Sequence, residues 1–196
     1  DFGCGSKPYE SLFKVEKYIG LDTNQSGHSH KNEKIDVLYD GKKIPFDDNH
    51  FDYIFSSEVL EHVFNIDEII SELNRVLKND GKILITLPFV WGEHEQPYDY
   101  ARYTSFAIHH LLSKHGFELI KLDKSTSYVE TVFQMLSAYV YQNVLPKNNY
   151  IRILLTPFVI APINITGLLF GYILPKNHNF YHNNIVVAQK AQQIWD

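Results

Sequence analysis

Short apolar runs and amphipathic stretches alternate along the first 123 residues, and this alternation predicts strands and helices in turn. Short apolar runs between polar residues are typical of buried strands. Such runs cover residues 18–22 and 35–39, the segment from Phe51 up to Glu58, and residues 82–88, 117–122 and 184–190. The pattern predicts an α/β fold with a doubly wound, mostly parallel sheet and helices on both faces.

Two of the predicted helices lie at opposite ends of this region. Residues 9–17 carry four apolar residues, which predicts a short helix with Pro8 in its first turn. Thr104 is expected to cap a later helix, which Gly116 closes. Both helices are expected to cover the sheet.

The strongest helical pattern lies between them. Residues 66–77 carry apolar residues three and four positions apart, the spacing of a helix with one buried face. Asn65 or Asp67 is expected to cap its start. Residues 79–81, Asn-Asp-Gly, tolerate the left-handed conformation and are expected to end it.

A long apolar stretch precedes the last strand. Residues 153–175 contain no charged residue, and this length is sufficient to cross a bilayer. Pro157, Pro162 and Asn164 oppose a simple crossing, and the last strand must return to the same sheet. The remaining interpretations are a helical cap over a pocket, a homodimer interface and a shallow membrane-surface anchor. We expect the cap or interface, because apolar segments in soluble domains usually belong to the core.

Composition limits the class of protein. The chain has 196 residues, of which 44% are hydrophobic, so it can bury one core and one elaboration of it. Its formal net charge of −5 disfavours nucleic acid as a partner. Cys4 is the only cysteine, which excludes a disulfide framework and favours a reducing compartment such as the cytoplasm.

The chain opens on a glycine turn at residues 1–7, Asp-Phe-Gly-Cys-Gly-Ser-Lys. Two glycines in alternation let the backbone approach a ligand closely. A dinucleotide turn needs a third glycine, but Pro8 occupies that position, which argues against NAD or FAD. Since the chain opens at the turn itself, the first strand is expected to be truncated.

The turn resembles motif I of the class I S-adenosylmethionine (SAM)-dependent methyltransferases, an acidic residue followed by Gly-x-Gly. The resemblance implies that SAM is the cofactor and that Asp1, Gly3 and Gly5 contact it. In this family an acidic residue at the end of the second strand binds the ribose hydroxyls, and Asp22 occupies that place. A carboxylate accepts two hydrogen bonds at once, which suits a vicinal diol.

A later segment carries a more specific resemblance to the same family. Residues 40–63 show its order of an acid, an apolar-Pro-Phe step, Phe-Asp, an apolar strand and a Glu-His pair. The resemblance implies that Asp40 accepts the adenine amino group and that the Gly41 N–H reaches a ring nitrogen. It further implies that Ser57 and Glu58 line the SAM pocket.

The resemblance also divides the chain. Residues 1–124 and 181–190 correspond to the SAM-binding core, with the last strand antiparallel beside the strand at residues 82–88, and residues 125–180 are a hydrophobic helical insertion. The core implies a methyltransferase, expected in the cytoplasm or peripherally at a membrane.

The acceptor is expected to be a hydroxyl of a small molecule, a sugar or a lipid-linked glycan. A hydroxyl acceptor needs a base, and the candidates are His62 and His94, of which His94 is preferred. Tyr98 and Arg102, with Asp99 and Tyr103, are expected to shape the site. Arg102 pairing with Asp99 is the structural alternative.

Two other interpretations stay open. Glu58, Glu61 and His62 form a Glu-x-x-Glu-His run that resembles the metal-binding motif of small-RNA and ubiquinone-pathway O-methyltransferases, and His94 is the implied fourth ligand. Such a set suggests Mg²⁺. The other interpretation is a non-catalytic scaffold subunit with this fold. His28 and His30 are more typical of an exposed loop at residues 24–34 than of a metal site.

Overall fold

The computed structural model describes residues 1–23 and 34–192, so most of the predicted loop, with His28 and His30, lies outside the described residues. The strands are β1 (Leu21–Thr23), β2 (Val37–Tyr39), β3 (Phe51–Ser57), β4 (Leu77–Pro88), β5 (Phe117–Lys124) and β6 (Asn183–Lys190). The α-helices are α1 (Ile66–Val76), α2 (Ser105–Lys114), α3 (Tyr128–Tyr139) and α4 (Asn149–Ile173). The chain divides into two compact units, Asp1–Asp123 with Asn184–Asp196, and Lys124–Asn183.

The first unit contains the predicted sheet. Strands β1 and β2 pair in parallel, and the other strands follow the order β3-β4-β6-β5. Phe2 lies between these two groups, since it bridges to Leu21 and its N–H donates to the Phe55 carbonyl at 2.8 Å. The prediction of a mostly parallel sheet with an antiparallel last strand is confirmed.

Helix α1 covers this sheet with the predicted face. Its inward side chains Ile69, Ile70, Leu73 and Val76 are all buried. Asn65 occupies the cap position but makes no capping hydrogen bond, so that part of the prediction is wrong. Its amide donates instead to the Gly41 carbonyl and to Glu68. Asp80 adopts the predicted left-handed conformation, with φ of 61°, inside the early part of β4.

The helix predicted at residues 9–17 is not present. Only one 3-10 turn forms, at Glu10–Leu12. Leu12 is 75% exposed, so the segment has no continuous buried face that would stabilise a helix. The ring of Phe13 packs against Phe55 instead, with 5.1 Å between the ring centroids.

The second unit is a hairpin of α3 and α4. A Cβ on Gly167 would lie 2.5 Å from the Phe133 Cβ, so the glycine permits close approach of the two helices. Ser137 donates to the Asn164 side chain at 2.5 Å. Between the helices, residues Val140–Val144 form one π-helical turn.

Helix α4 is the long apolar element of the chain. It runs through Pro157 and Pro162 without a break, over 25 residues. Among the described residues it is the one helix that is long and apolar enough to cross a membrane. Only 6% of its most apolar 18-residue segment is buried. The expected cap or interface for this segment stays a prediction.

Candidate active site

The glycine turn is shaped by close packing on one side and open space on the other. Gly3 has φ of +72°, and a Cβ there would lie 2.3 Å from a Val59 methyl carbon. Gly5 has φ of +47°, and no atom of the described residues lies within 4 Å of the position of its missing Cβ. Gly3 is therefore required for packing, whereas Gly5 leaves room for a ligand.

Asp22 is tied directly to this turn. Its carboxylate is buried and accepts a hydrogen bond from the Gly5 N–H at 2.9 Å. The other carboxylate oxygen accepts from the Thr23 N–H at 2.8 Å. The structure thus brings together the turn and the predicted ribose-binding carboxylate, and each oxygen retains a lone pair for a further donor.

Asp40 follows the neighbouring strand. Because Thr23 pairs with Tyr39 in the β1–β2 register, Asp40 lies at the same sheet edge as Asp22. One Asp40 oxygen accepts from the N–H groups of Lys42 and Lys43, which lowers the pKa of this exposed carboxyl. Within residues 1–23 and 34–192, no atom lies within 4 Å of the position where Gly41 would carry a Cβ. The loop is therefore preformed and open beside Gly41.

Asp1 has a different environment. Its carboxylate accepts a hydrogen bond from the Tyr18 hydroxyl at 2.6 Å. Both residues line a cavity of about 890 Å³ whose other walls include Phe13 and Phe55. Gly3, Gly5, Asp22 and Asp40 do not line this cavity, so it is distinct from the predicted cofactor site. The predicted contact of Asp1 with SAM stays a prediction.

One ion pair that the sequence did not reveal supports the turn. The buried Lys7 ammonium pairs with Asp36, and the same carboxylate oxygen accepts from the Gly20 N–H at 2.7 Å. The hydrogen bond from Lys7, followed by that from Gly20, lowers the pKa of Asp36. Twenty-nine residues separate the partners, and no local pattern indicates such a distant contact.

A chain of hydrogen bonds joins the carboxyl ends of β3 and β4. Ser57 and Thr86 lie opposite each other, with 2.8 Å between their hydroxyl oxygens. Thr86 donates to the Glu58 carboxylate at 2.8 Å, which leaves Ser57 as the donor to Thr86. These hydrogen bonds hold the side chains of Ser57 and Glu58 at the predicted edge of the sheet.

A second cluster follows β3 in a 3-10 turn, Leu60–His62. Glu61 is fully buried, and neither of its carboxylate oxygens has a hydrogen-bond partner among the described residues. Burial raises the pKa of Glu61 to about 8. The Glu61 carbonyl accepts from the N–H groups of Tyr100 and Ala101, which anchors the segment after β4 to this turn.

His62 and His94 face each other beside this carboxylate. The Nδ1 of His62 lies 2.9 Å from the Tyr98 carbonyl, so Nδ1 carries the proton and the buried Nε2 has its lone pair free of hydrogen bonds within the described chain. This Nε2 lies 3.8 Å from both Glu61 and Glu95. The rings of His62 and His94 are 4.7 Å apart.

Asp99 orients His94. Its carboxylate accepts from the His94 backbone N–H at 2.9 Å and lies 3.3 Å from the His94 Nδ1. The adjacent Arg102 guanidinium holds the pKa of the Asp99 carboxyl well below its usual range. The hydrogen-bond acceptor at the His94 Nδ1 is the Gly92 carbonyl, 3.3 Å away, and a neutral His94 that donates to it keeps its lone pair on Nε2, as a general base requires.

The donors of Arg102 are occupied by the protein. They bond to both oxygens of Asp99 and to the carbonyls of Trp91, Gly92 and Ala101. A guanidinium has five N–H donors, so this set uses all of them. Arg102 therefore organises the segment that carries His94, and its predicted contact with substrate stays a prediction.

Residues 1–85 match the family model described as a methyltransferase domain. Over these residues the chain is similar to methyltransferases. The comparisons support SAM as the cofactor, and the open glycines with the carboxylates of Asp22 and Asp40 fit such a ligand.

Two relatives resemble this chain at low sequence identity. The chain is 25% identical over 204 residues to phosphoethanolamine N-methyltransferase 2 of Caenorhabditis elegans, covering 96% of this chain and 45% of that protein. It is 26% identical over 179 residues to malonyl-acyl-carrier protein O-methyltransferase of Legionella pneumophila, covering 76% of this chain and 62% of that protein. The chain thus spans less than two thirds of the length of either relative.

One solved structure extends the comparison of the fold. Phosphoethanolamine N-methyltransferase 2 of Haemonchus contortus, in complex with SAM, superposes with a TM-score of 0.56. The match covers 98% of this chain and 48% of that one at 20% identity. At this identity the likeness shows that the two share a fold.

The first unit brings together three of the four metal ligands that the sequence implied. Ligand atoms of Glu61, His62 and His94 all lie within 4.8 Å of one another. Glu58 is outside that group and bonds to Thr86 instead. One carboxylate and two imidazoles suit Mn²⁺, Fe²⁺ or Zn²⁺ better than the predicted Mg²⁺.

Tyr98 contacts His62 through its carbonyl oxygen, and its predicted part in shaping the site stays a prediction. Glu95 also approaches His62, which the sequence analysis did not predict. Its position beside His94 in the sequence is the one signal that could have indicated it.

Proposed function

We propose that this chain binds SAM at the edge formed by the glycine turn, Asp22 and Asp40, and transfers its methyl group to a hydroxyl of a small molecule, sugar or lipid-linked glycan. The observation that carries the proposal is the hydrogen bond from the Gly5 N–H to Asp22, which ties the turn to a buried carboxylate. Asp40, at the same edge on the neighbouring strand, supports it.

The second cluster supplies the groups that a hydroxyl acceptor needs. SAM provides an activated methyl group, so the protein has to align the acceptor, exclude water and take one proton. His94 accepts that proton at Nε2, because its Nδ1 lies 3.3 Å from the Gly92 carbonyl, to which it donates beside the Asp99 carboxylate. Arg102 holds Asp99 in place through two hydrogen bonds.

Transfer of tritiated methyl groups from SAM to a panel of monosaccharides and phenols tests this proposal. We expect His94→Ala to lower the transfer rate by about a hundredfold or more, the usual contribution of a positioned base. His110→Ala, on the exposed surface of α2, is the matched control and should retain the wild-type rate. Equal rates in both variants would contradict the role of His94.

The class of acceptor is tested in the same assay. One relative is named as a phosphoethanolamine N-methyltransferase and another as an O-methyltransferase. We expect no transfer to phosphoethanolamine and measurable transfer to at least one hydroxyl compound. Transfer to phosphoethanolamine alone would replace the hydroxyl assignment with an amine.

Metal-dependent O-methyl transfer is the second candidate. It is favoured by the buried Glu61 carboxylate and the His62 Nε2, whose polar atoms have no hydrogen-bond partner among the described residues. Glu61, His62 and His94 would hold a divalent ion, which would lower the pKa of an acceptor hydroxyl. If EDTA abolishes transfer and Mn²⁺ restores it, this mechanism replaces the base mechanism; unchanged turnover in EDTA excludes it.

A further inference from the structure

The exposed face of α4 is apolar over its whole length. Phe158 is 73% exposed, Leu168 64% and Leu169 56%. A helix in a protein core buries such side chains. A large exposed apolar surface instead marks a site of contact with a membrane or with another protein.

Three polar side chains within the apolar stretch of this helix have hydrogen-bond partners inside the hairpin, whereas the buried Nε of Arg152, before that stretch, has none among the described residues. Asn164 accepts a hydrogen bond from Ser137 of α3. The hydroxyls of Thr156 and Thr166 donate to the carbonyls one turn earlier, of Arg152 and Pro162. A helix in hydrocarbon requires such internal partners, because lipid chains offer none.

The ends of α4 carry aromatic side chains suited to a lipid headgroup layer. Tyr150 is 86% exposed in the first turn and Tyr172 is 88% exposed in the last. A helix of 25 residues is about 37 Å long, and a bilayer core is about 30 Å thick. Tyrosines at both ends of an apolar helix are typical of membrane interfaces.

The charge of the hairpin unit is opposite to that of the remaining chain. Residues 124–183 carry four basic residues and one acidic residue, a formal charge of +3, while the other residues sum to −8. The basic residues are Lys124, Lys147, Arg152 and Lys176, all outside the apolar stretch. This distribution complements an anionic lipid surface.

We propose that the hairpin of α3 and α4 inserts into an anionic lipid bilayer. The chain enters the hairpin from β5 and leaves it into β6, which are neighbours in one sheet, so the hairpin begins and ends on one side of the membrane. The competing arrangement packs the hairpin of a second copy against α4, and the like formal charge of +3 on the two hairpins does not favour it.

Flotation of the full chain with phosphatidylcholine vesicles, with and without one quarter phosphatidylglycerol, tests the insertion and needs neither SAM nor acceptor. We expect the protein to float with the anionic vesicles and several-fold less with the neutral ones. Phe158→Asp combined with Leu169→Asp should reduce flotation by about tenfold or more, because charged side chains are costly in hydrocarbon. Lys147→Glu combined with Lys176→Glu should remove the preference for anionic vesicles.

The matched control places two aspartates on the other unit, at Phe106 and Ile120, which are 82% and 51% exposed. This control should float like the wild type, and circular dichroism should report the same helical content for all variants. The proposal is overturned if the folded Phe158 and Leu169 variant still floats. It is also overturned if the wild type fails to float, and light scattering that then reports a dimer would identify the second copy as the occupant. Failure of methyl transfer leaves this result unaffected.

Discussion

Arg102 binds Asp99 through two hydrogen bonds of 2.5 and 2.6 Å, and this pair fixes the segment that carries His94. The Asp99 side chain is 4% exposed, so its charge depends on Arg102 for compensation. Removal of one partner from such a pair leaves a buried charge without a counterion.

Arg102→Gln is therefore expected to lower the free energy of unfolding by about 3 kcal/mol. Urea denaturation measures this change. Lys78→Gln breaks an exposed pair with Asp52 and is the matched control, with an expected loss below about 1 kcal/mol. Equal losses in the two variants would show that Arg102 does not support the segment in this way.

Gly3→Ala tests the packing of the glycine turn. The new methyl group would overlap Val59, and φ of +72° strains a residue that carries a Cβ. We therefore expect the free energy of unfolding to fall by at least about 2 kcal/mol. Gly92→Ala is the control, since no atom lies within 4 Å of the position of its Cβ, and its melting temperature should stay near that of the wild type.

Val59→Ala in the Gly3→Ala background separates the two causes. Removal of the valine methyl groups relieves the overlap but leaves the backbone strain, so we expect the melting temperature to recover in part. A double variant no more stable than Gly3→Ala would contradict the predicted contact.

The raised pKa of Glu61 predicts a pH dependence of stability in metal-free buffer. Its pKa in the folded chain is about 8, above the ordinary value of 4.5. The folded chain therefore retains a proton that the unfolded chain releases. The contribution of protonated Glu61 to the free energy of unfolding is therefore fully present below about pH 4.5, and it is lost as the pH rises through about 8.

Glu61→Gln should remove this dependence. Urea denaturation in EDTA, at pH 5 and pH 8.5, compares the variant with the wild type. From pH 5 to pH 8.5, we expect the free energy of unfolding of the wild type to fall by up to about 4 kcal/mol more than that of the variant. This follows from about 1.4 kcal/mol for each unit by which the pKa is raised. Parallel pH profiles would mean that Glu61 is not neutral in the folded chain.

Local patterns were sufficient for the elements with one buried face. Helix α1 follows from the spacing of its apolar residues, and α2 begins at Thr104, whose hydroxyl accepts from the Ala107 N–H as predicted. The segment at residues 9–17 failed, because its few apolar residues find no partner that would bury Leu12. Propensity alone does not stabilise so short a helix.

The site residues that directly follow parallel strands were predictable, because the strand order decides which sheet edge they share. Asp22 and Asp40 follow neighbouring parallel strands, so their shared edge follows from the strand order. Lys7 with Asp36 was not predictable, because their partnership depends on packing between distant segments. The same holds for the complete burial of Glu61, since its sequence neighbours do not distinguish a buried carboxylate from an exposed one.

Titration calorimetry of the full chain with SAM and with S-adenosylhomocysteine tests the central claim most directly. We predict that both ligands bind, and that Asp22→Asn binds at least about tenfold more weakly, because an amide offers one acceptor oxygen where the carboxylate offers two. Asp52→Asn, at an exposed pair with Lys78 near the amino end of β3, should bind like the wild type. No heat of binding from either ligand, or unchanged affinity in Asp22→Asn, would contradict the account and favour a non-catalytic scaffold.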